Sequence, residues 1–392
     1  MNNTLASDFE HYNVPGQGER ETPSQDDLSD PVAFRLGIVG VGQCGGNIAA
    51  QFYETGYRRI LLVNTAKTDL DSIRLPIEKL PIGTNGAGKD REIARMCAER
   101  SVTRIRTKMA SVFQGQYDKI VICMSLGGGT GSGAGPKVVQ IAKEMVRENG
   151  GDPEKDVIVI MVLPEPKVDG PRPCFNALQA YAELDKLGVV RVVVDNEKIA
   201  GVVTGGIVDQ LDYMNHWVVR TFHRFNNYAA KESKYGNFDG KDMDDVLAHG
   251  RIIFSAFMVE KLDNRYEIGD IMSTHLASSL FAGSRLETAD VGACVMILNP
   301  ERIADKSPRD VSNAFETLNE LMRPNSTLHR GMYLEESPPK PDGTMPPAMF
   351  CYVMLGGLEH PFETLQPIFE KAHSCCPEYG SLSAFLNESQ AV

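Results

Sequence analysis

The chain has 392 residues, 42% of them hydrophobic and 23% charged, which is enough for two domains at roughly 100–200 residues each. Its net charge of −12 argues against nonspecific binding to nucleic acid or anionic membrane, so neither is expected as a direct partner. No apolar run reaches the roughly 18 residues of a membrane helix, and eight cysteines without a CxxC pair exclude a disulfide frame or zinc site and point to reduced thiols in the cytoplasm.

Residues 1–33, rich in Asn, Ser, Asp, Glu, Gln and Pro, are expected to form a disordered acidic tail. Order is expected to begin at FRLGIVGVG. From there, strand-like runs at 35–39, 59–63, 119–124, 157–162 and 189–194 alternate with amphipathic stretches at 47–54, 92–109 and 136–148. Such alternation predicts a parallel sheet with helices on both faces, within a domain of residues 34–204. Apolar steps at Ile207, Leu211, Met214, Val218, Phe222 and Phe225 predict a long helix, the spine of a segment 205–235 between two domains. Residues 236–378 read as a smaller α+β domain. It would hold a helix from Met243, strands at 293–298 and 349–354, a Pro-rich connector at 336–347 and a helix in PFETLQPIFEKAHS. Residues 379–392 remain as a C-terminal tail. The fold class is therefore α/β: a Rossmann-like parallel-sheet domain, a long central helix and a smaller α+β domain.

Three glycine-rich segments punctuate the first domain: GVGQCGGN (40–47), NGAGKD (85–90) and SLGGGTGSGAGP (125–136). Glycine lets backbone N–H groups approach a phosphate with no Cβ in the way, and reaches φ values that other residues avoid. Each segment is expected to hand over to a helix amino terminus, whose partial positive charge favours an anion. Thr130 and Ser132 add hydroxyl donors. Three such segments in one α/β domain point to a polyphosphate.

GVGQCG fits the GxGxxG dinucleotide fingerprint, which also requires an acidic residue about 20 positions on, closing the second strand. Asn64 and Thr65 stand there instead, so an NAD-binding oxidoreductase is disfavoured. GxxxxGK[ST] is absent, which excludes the P-loop class.

GGGTGSG together with GVGQCGGN resembles the phosphate-binding segments of the tubulin/FtsZ superfamily, and the resemblance runs over about residues 34–357. It implies a GTPase domain that binds GTP or GDP with Mg2+, and it assigns contacts residue by residue. Gly42, Gln43, Cys44, Gly45 and Asn47 fall in the first phosphate segment, which is tubulin-like. Ala66 falls in VNTAKTDL, where FtsZ usually has an aspartate. Ala87, Gly88 and Lys89 match the γ-phosphate-sensing segment, and Gly127, Gly128, Gly129, Thr130, Gly131 and Ser132 the signature motif. In LPEPKVDGPRP, Asp169 and Arg172 fall near the ribose, although the usual arginine position is Pro173. Asn196 in VDNEKI and Asn215 in DYMNHWVV take the guanine-reading places, with Tyr213 or Leu211 against the base. An amide both donates to and accepts from the guanine edge, which suits that role. By the residues alone, Asn196 is a turn or capping residue and Asn215 a polar edge of the helix stripe. The sole tryptophan, Trp217, reads as a packing residue.

In GKDMDDVLAHG (240–250), Asp242 and Asp245 stand three apart at an expected helix start and so share a face. By themselves they read as an N-cap and its acidic partner. The resemblance makes them the catalytic carboxylates of the synergy loop, in the FtsZ register Asn-x-Asp-x-x-Asp, with Gly240 where the asparagine would be. In that family the loop lies at the pole opposite the phosphates, so a carboxylate reaches the nucleotide of a neighbouring subunit. The implied partner is the chain itself, in a head-to-tail homopolymer that hydrolyses GTP on assembly. Gly240 also leaves open a filament that binds GTP and turns it over slowly; a nonpolymerising nucleotide sensor is a further alternative. Division, cell shape and DNA positioning are all compatible roles. SAFLN in the tail is similar to the FtsZ peptide that binds adaptors, so an adaptor protein is a possible partner there.

Overall fold

The computed structural model describes residues 28–200, 207–262, 267–303, 307–336 and 345–391; most of the expected acidic leader and of the Pro-rich connector lies outside them. Strand β1 (Leu36–Val41) is buried at every position. Continuous burial of a β-branched run requires cover on both faces, which is the habit of parallel sheets. It is followed by α1 (Gly42–Thr55), β2 (Ile60–Asn64), α2 (Lys67–Ser72), β3 (Glu78–Pro81), α3 (Arg91–Arg100) and α4 (Val102–Phe113). Next come β4 (Lys119–Ser125), α5 (Gly129–Glu148), the short α6 (Pro153–Asp156), β5 (Val157–Leu163), α7 (Pro171–Lys186), β6 (Val190–Asp195) and α8 (Asn196–Ala200). These strands pair in parallel in the order β3-β2-β1-β4-β5-β6, with Leu61, Val39, Ile122, Val159 and Arg191 in one row across the sheet.

The expected strands are all present, each shifted or extended by a residue or two. All three helix expectations in this domain need correction. The helices expected at 47–54 and 136–148 begin at Gly42 and Gly129, inside the glycine motifs. Low helix propensity hides those first turns from periodicity, yet small residues are what a helix end pressed against a strand requires. The single helix expected over 92–109 is two, α3 and α4, parted at Ser101. Strand β3 had no forecast. It is short, carries Glu78 and Lys79, and pairs only with β2, as edge strands often do.

Helix α9 (Ile207–Tyr228) realises the expected spine, with Met214, Val218, Phe222 and Phe225 buried. The described residues divide into two compact units, the first within 28–29, 34–220 and 362–391, the second within 30–33 and 221–361. In the second unit, α10 (Gly240–Leu247), β7 (Arg251–Val259), α11 (Ile268–Ser279), β8 (Val291–Leu298), α12 (Pro308–Leu321), β9 (Thr327–Leu334) and β10 (Met349–Gly356) follow in order. Their strands line up as β7-β10-β8-β9, antiparallel except for the parallel pair β8–β9. Phe225 anchors this unit, stacked 5.8 Å from Phe254 and edge-on to Phe238 at 5.9 Å.

The last two helices, α13 (Phe362–Ala372) and α14 (Leu382–Ala391), pack on α7 of the first unit. The sequence reading set residues 362–378 with the second domain; the apolar face of α13 instead covers the sheet domain. Leu382, Phe385 and Leu386 of the tail helix are buried. No helix among the described residues is long and apolar enough to cross a membrane.

Candidate functional site

In a parallel sheet of this order the winding reverses between β1 and β4, and a crevice opens beyond their carboxyl ends. The first and third glycine motifs are the turns that leave those two strands. Gly42 starts α1 with φ of +76°, a conformation that L side chains rarely adopt. A Cβ built on it would stand 3.2 Å from the Gly131 nitrogen and 3.4 Å from Thr130 Cβ, so the two motifs touch. One built on Gly129 would stand 2.9 Å from Ala87 Cβ and 3.2 Å from Lys89 Cα, which brings the second glycine segment to the same place.

The N-cap residues of α1, α2, α5 and α7 are Val41, Ala66, Gly128 and Gly170, and none of them supplies a side-chain cap. The N–H groups of these first turns thus receive no bond from the N-cap side chain, and the dipole's positive end lies behind them; in α7, Pro171 and Pro173 leave Arg172 alone among the first three residues with an N–H to offer. Helix α3 differs: Asp90 accepts from Glu92 N at 2.9 Å and from Ile93 N at 3.4 Å. Its amino terminus is already satisfied, which corrects the expectation that all three segments offer a helix end to an anion.

The glycines divide by cause as well. A Cβ on Gly45 would strike the Cys123 carbonyl, and one on Gly131 the Ser125 carbonyl, so these two glycines exist to let helices lie on strand backbone. At Gly128 a Cβ would meet nothing within 4 Å, and its φ of −77° suits any residue. No neighbour among the described residues explains that glycine. Gly88, with φ of +56°, is likewise open and is required by its backbone conformation. Gly127 is hemmed in by Pro164 and Pro173.

Thr130 Oγ1 lies 2.7 Å from Thr65 Oγ1 and donates to Asn64 Oδ1 at 3.2 Å, while Asn64 Oδ1 accepts from Ala66 N at 3.0 Å. The end of β2, which lacks the dinucleotide carboxylate, is thus used to hold the signature motif. Ser132 Oγ bonds back to the Gly128 carbonyl, and Arg91 donates to the Ser132 carbonyl at 3.2 Å. Asn176 of α7 is buried and donates to the carbonyls of Lys89 at 2.9 Å and Gly127 at 3.5 Å, tying two glycine segments together. Sequence reasoning missed Asn64, Thr65 and Asn176 as site residues, since nothing in their local pattern marks partners so far along the chain. Gln43 and Asn47 are exposed on α1, and burial pushes the Cys44 thiol up to about 12, so it stays protonated.

The remaining expected contacts are spread more widely. Asp169 accepts from Glu165 N at 3.1 Å and so shapes its own loop. Arg172 pairs with Asp90 at 3.1 Å, across to the second glycine segment. Asn196 opens α8 and Asn215 lies on α9, both half-buried, with neither amide hydrogen-bonded among the described residues. The side chains of Leu211 and Tyr213 lie outside the described residues.

In the second unit the expected cap is displaced by one turn. Asp239, not Asp242, is the N-cap of α10: its Oδ1 accepts from Lys241 N at 2.8 Å and Asp242 N at 3.0 Å. Asp242 completes the box from N3, accepting from Asp239 N at 3.2 Å. His329 of β9 sits against both acids, with Nδ1 2.8 Å from Asp242 Oδ1 and Nε2 2.7 Å from Asp245 Oδ2. Among the described residues no group of three or more His, Cys, Asp or Glu could hold a metal ion.

Residues 35–204 match the family described as Tubulin/FtsZ family, GTPase domain. The chain is 28% identical over 173 residues to the cell division protein FtsZ of Aquifex aeolicus, covering 42% of this chain and 43% of that one. It is 29% identical over 316 residues to the tubulin-like protein CetZ of Pyrococcus abyssi, covering 76% and 81%. Several other curated relatives are spanned over only a third to just under a half of their length, as the FtsZ of Aquifex is. Among solved structures, the GTPγS-bound protofilament of CetZ2 from Haloferax volcanii superposes with a TM-score of 0.71 at 20% identity, over 88% of this chain and 99% of that one, a likeness of fold.

Proposed function

Because the chain belongs to the tubulin/FtsZ superfamily, we propose that it is a cytoskeletal GTPase that binds GTP in the first unit and assembles head to tail into protofilaments. The observation that carries the nucleotide reading is the cradle at the sheet's switch point. Uncapped helix ends gather around Gly128, which has open space where any other residue would place a side chain. Gly42, Gln43, Cys44, Gly45 and Asn47, with Gly127 to Ser132, would hold the α- and β-phosphates. Ala66 and the Ala87–Gly88–Lys89 corner would border the γ-phosphate. Asp169 and Arg172 would lie towards the ribose, and Asn196, Asn215 and Tyr213 towards the guanine. Magnesium would be met by phosphate oxygens and water, asking little of protein ligands, and would neutralise charge developing on the phosphates.

Hydrolysis would draw on the Asp242 and Asp245 of a neighbouring subunit. The oxygen of a water bonds to the γ-phosphorus as the bond to the β–γ bridging oxygen breaks; GDP and phosphate leave, and the water's proton passes to a carboxylate. Asp242 has both oxygens engaged, by His329 and by the Asp239 amide. Asp245 keeps Oδ1 without a partner among the described residues and is the better proton acceptor. Phosphate release per subunit, followed against protein concentration, tests this directly: a threshold followed by a steep rise is expected. A constant rate per subunit down to verifiably monomeric protein would overturn shared-site hydrolysis. Gly240 and the engaged Asp242 favour, as second reading, a filament with slow turnover; GTP-dependent pelleting with little phosphate release would single it out. We place the protein in the cytoplasm, in division, cell shape or DNA positioning. An adaptor binding residues 379–392 would have to displace α14, whose Leu382, Phe385 and Leu386 are buried.

A further inference from the structure

We infer that His329 is a positioning residue for hydrolysis, a clamp that fixes the Asp245 carboxylate for its work on a neighbour's nucleotide; the inference rests on the reading of Asp242 and Asp245 given above. His329 belongs to no local motif: it is the third residue of β9, far along the chain from the acids, and only folding of the second unit joins them. Its two ring nitrogens reach one carboxylate each, Nδ1 to Asp242 at 2.8 Å and Nε2 to Asp245 at 2.7 Å. Both contacts are hydrogen bonds only when both nitrogens carry protons, because a neutral imidazole must turn one lone pair towards a carboxylate oxygen. The side chain is 18% exposed, so water competes poorly for these bonds.

The surroundings give the clamp a fixed end and a working end. Asp242 is held from the other side by the capping box with Asp239. On the Asp245 side, His249 Nδ1 lies 2.8 Å from the Asp245 carbonyl oxygen, steadying the backbone there. Arg330, next along β9, is turned over the Phe315 ring at 5.7 Å. The imidazole therefore joins an anchored carboxylate to one that is 48% exposed and whose second oxygen has no partner among the described residues. A carboxylate on a helix surface samples several rotamers. Holding it in one aims Oδ1 without spending a covalent link, and small losses of aim at a reacting group are costly in rate.

Two isosteric variants separate the ends. In H329Q the amide nitrogen takes the place of Nε2 and keeps the bond to Asp245; in H329N it takes the place of Nδ1 and keeps only the bond to Asp242. The measurements are GTP binding, GTP-dependent sedimentation and phosphate release per sedimented subunit of the full chain, with D245N alongside. We expect all variants to bind GTP and pellet. Turnover should fall about tenfold or more in H329N and in H329A, and stay within about threefold of the parent in H329Q. Parental turnover in H329N would overturn the clamp, as would losses that simply follow melting temperature across the three variants. D245N separates the two levels: if it hydrolyses GTP normally, the catalytic reading of Asp245 is wrong. If D245N is inert while H329N is unaffected, the clamp alone is wrong.

Discussion

The proposed nucleotide cradle makes opposite demands on two glycines three residues apart, and that contrast can be measured. In G128A the new methyl meets no protein atom within 4 Å, and the φ of −77° and ψ of 164° are open to alanine. Alanine restricts the unfolded chain, which stabilises by about 0.4–1 kcal/mol, but is a poorer N-cap than glycine by a few tenths or more, so net stability should move by less than about 1 kcal/mol. A phosphate bound at the first N–H groups of α5 would, however, have to share this space with the methyl. Losing one charge-assisted hydrogen bond to a phosphate costs about 1.5–3 kcal/mol, or roughly 10- to 150-fold in the dissociation constant. In G131A the methyl collides with the Ser125 carbonyl, and either β4 or α5 must give way, an overpacking cost of about 1–3 kcal/mol or more. Urea denaturation without nucleotide and calorimetric titration with GTP read the two quantities separately. G128A should lose affinity at parental stability, and G131A should lose stability first. A G128A protein that binds GTP as tightly as the parent would refute the claim that a phosphate fills this space.

Other consequences follow from buried groups. Burial, with Arg220 nearby, lowers the His216 pKa to about 4, well under its ordinary 6.5. The unfolded chain therefore binds a proton that the fold refuses between those values, and stability should rise by up to ~3 kcal/mol as pH increases from 4 to 6.5. In H216Q that part of the rise in urea midpoint should vanish; an unchanged pH profile would contradict it. Lys119 is 1% exposed and pairs with Asp156 at 2.9 Å, so D156A takes the carboxylate from a buried ammonium and should cost about 3–5 kcal/mol in a thermal melt, with K119M/D156A recovering part of the loss. Phe385 is 3% exposed in α14 and lies edge-on to Tyr379 at 4.9 Å. F385A should destabilise the first unit by about 3 kcal/mol, and protease digestion should then cut the tail faster.

Much of the site was legible because its motifs are local. GVGQCGGN and GGGTGSG each place a strand end, a turn and a helix start within a dozen residues, and their glycines announce backbone that must stay bare. What each glycine is bare for was not legible. Gly45 and Gly131 answer to carbonyls on β4, Gly42 to its own φ, and Gly128 to nothing within 4 Å among the described residues, and these neighbours become known only when strands are laid side by side. The cap of α10 shows the same limit at short range. Asp239, Asp242 and Asp245 are equally spaced, so three-residue spacing fits either pair, and the backbone conformation at Asp239 selects the first.

The sequence by itself determined the alternation of elements, the glycine-bearing turns and the two acids of α10, because each is set by side-chain periodicity or by backbone freedom within a few residues. Only the tertiary structure decided the partners of Thr130, Asn176 and His329, which lie 65, 87 and 84 residues from Thr65, Lys89 and Asp245 along the chain. Hydrogen bonds between such distant groups leave no periodic trace in a sequence; they exist once buried strands have fixed the register that brings them within 3 Å.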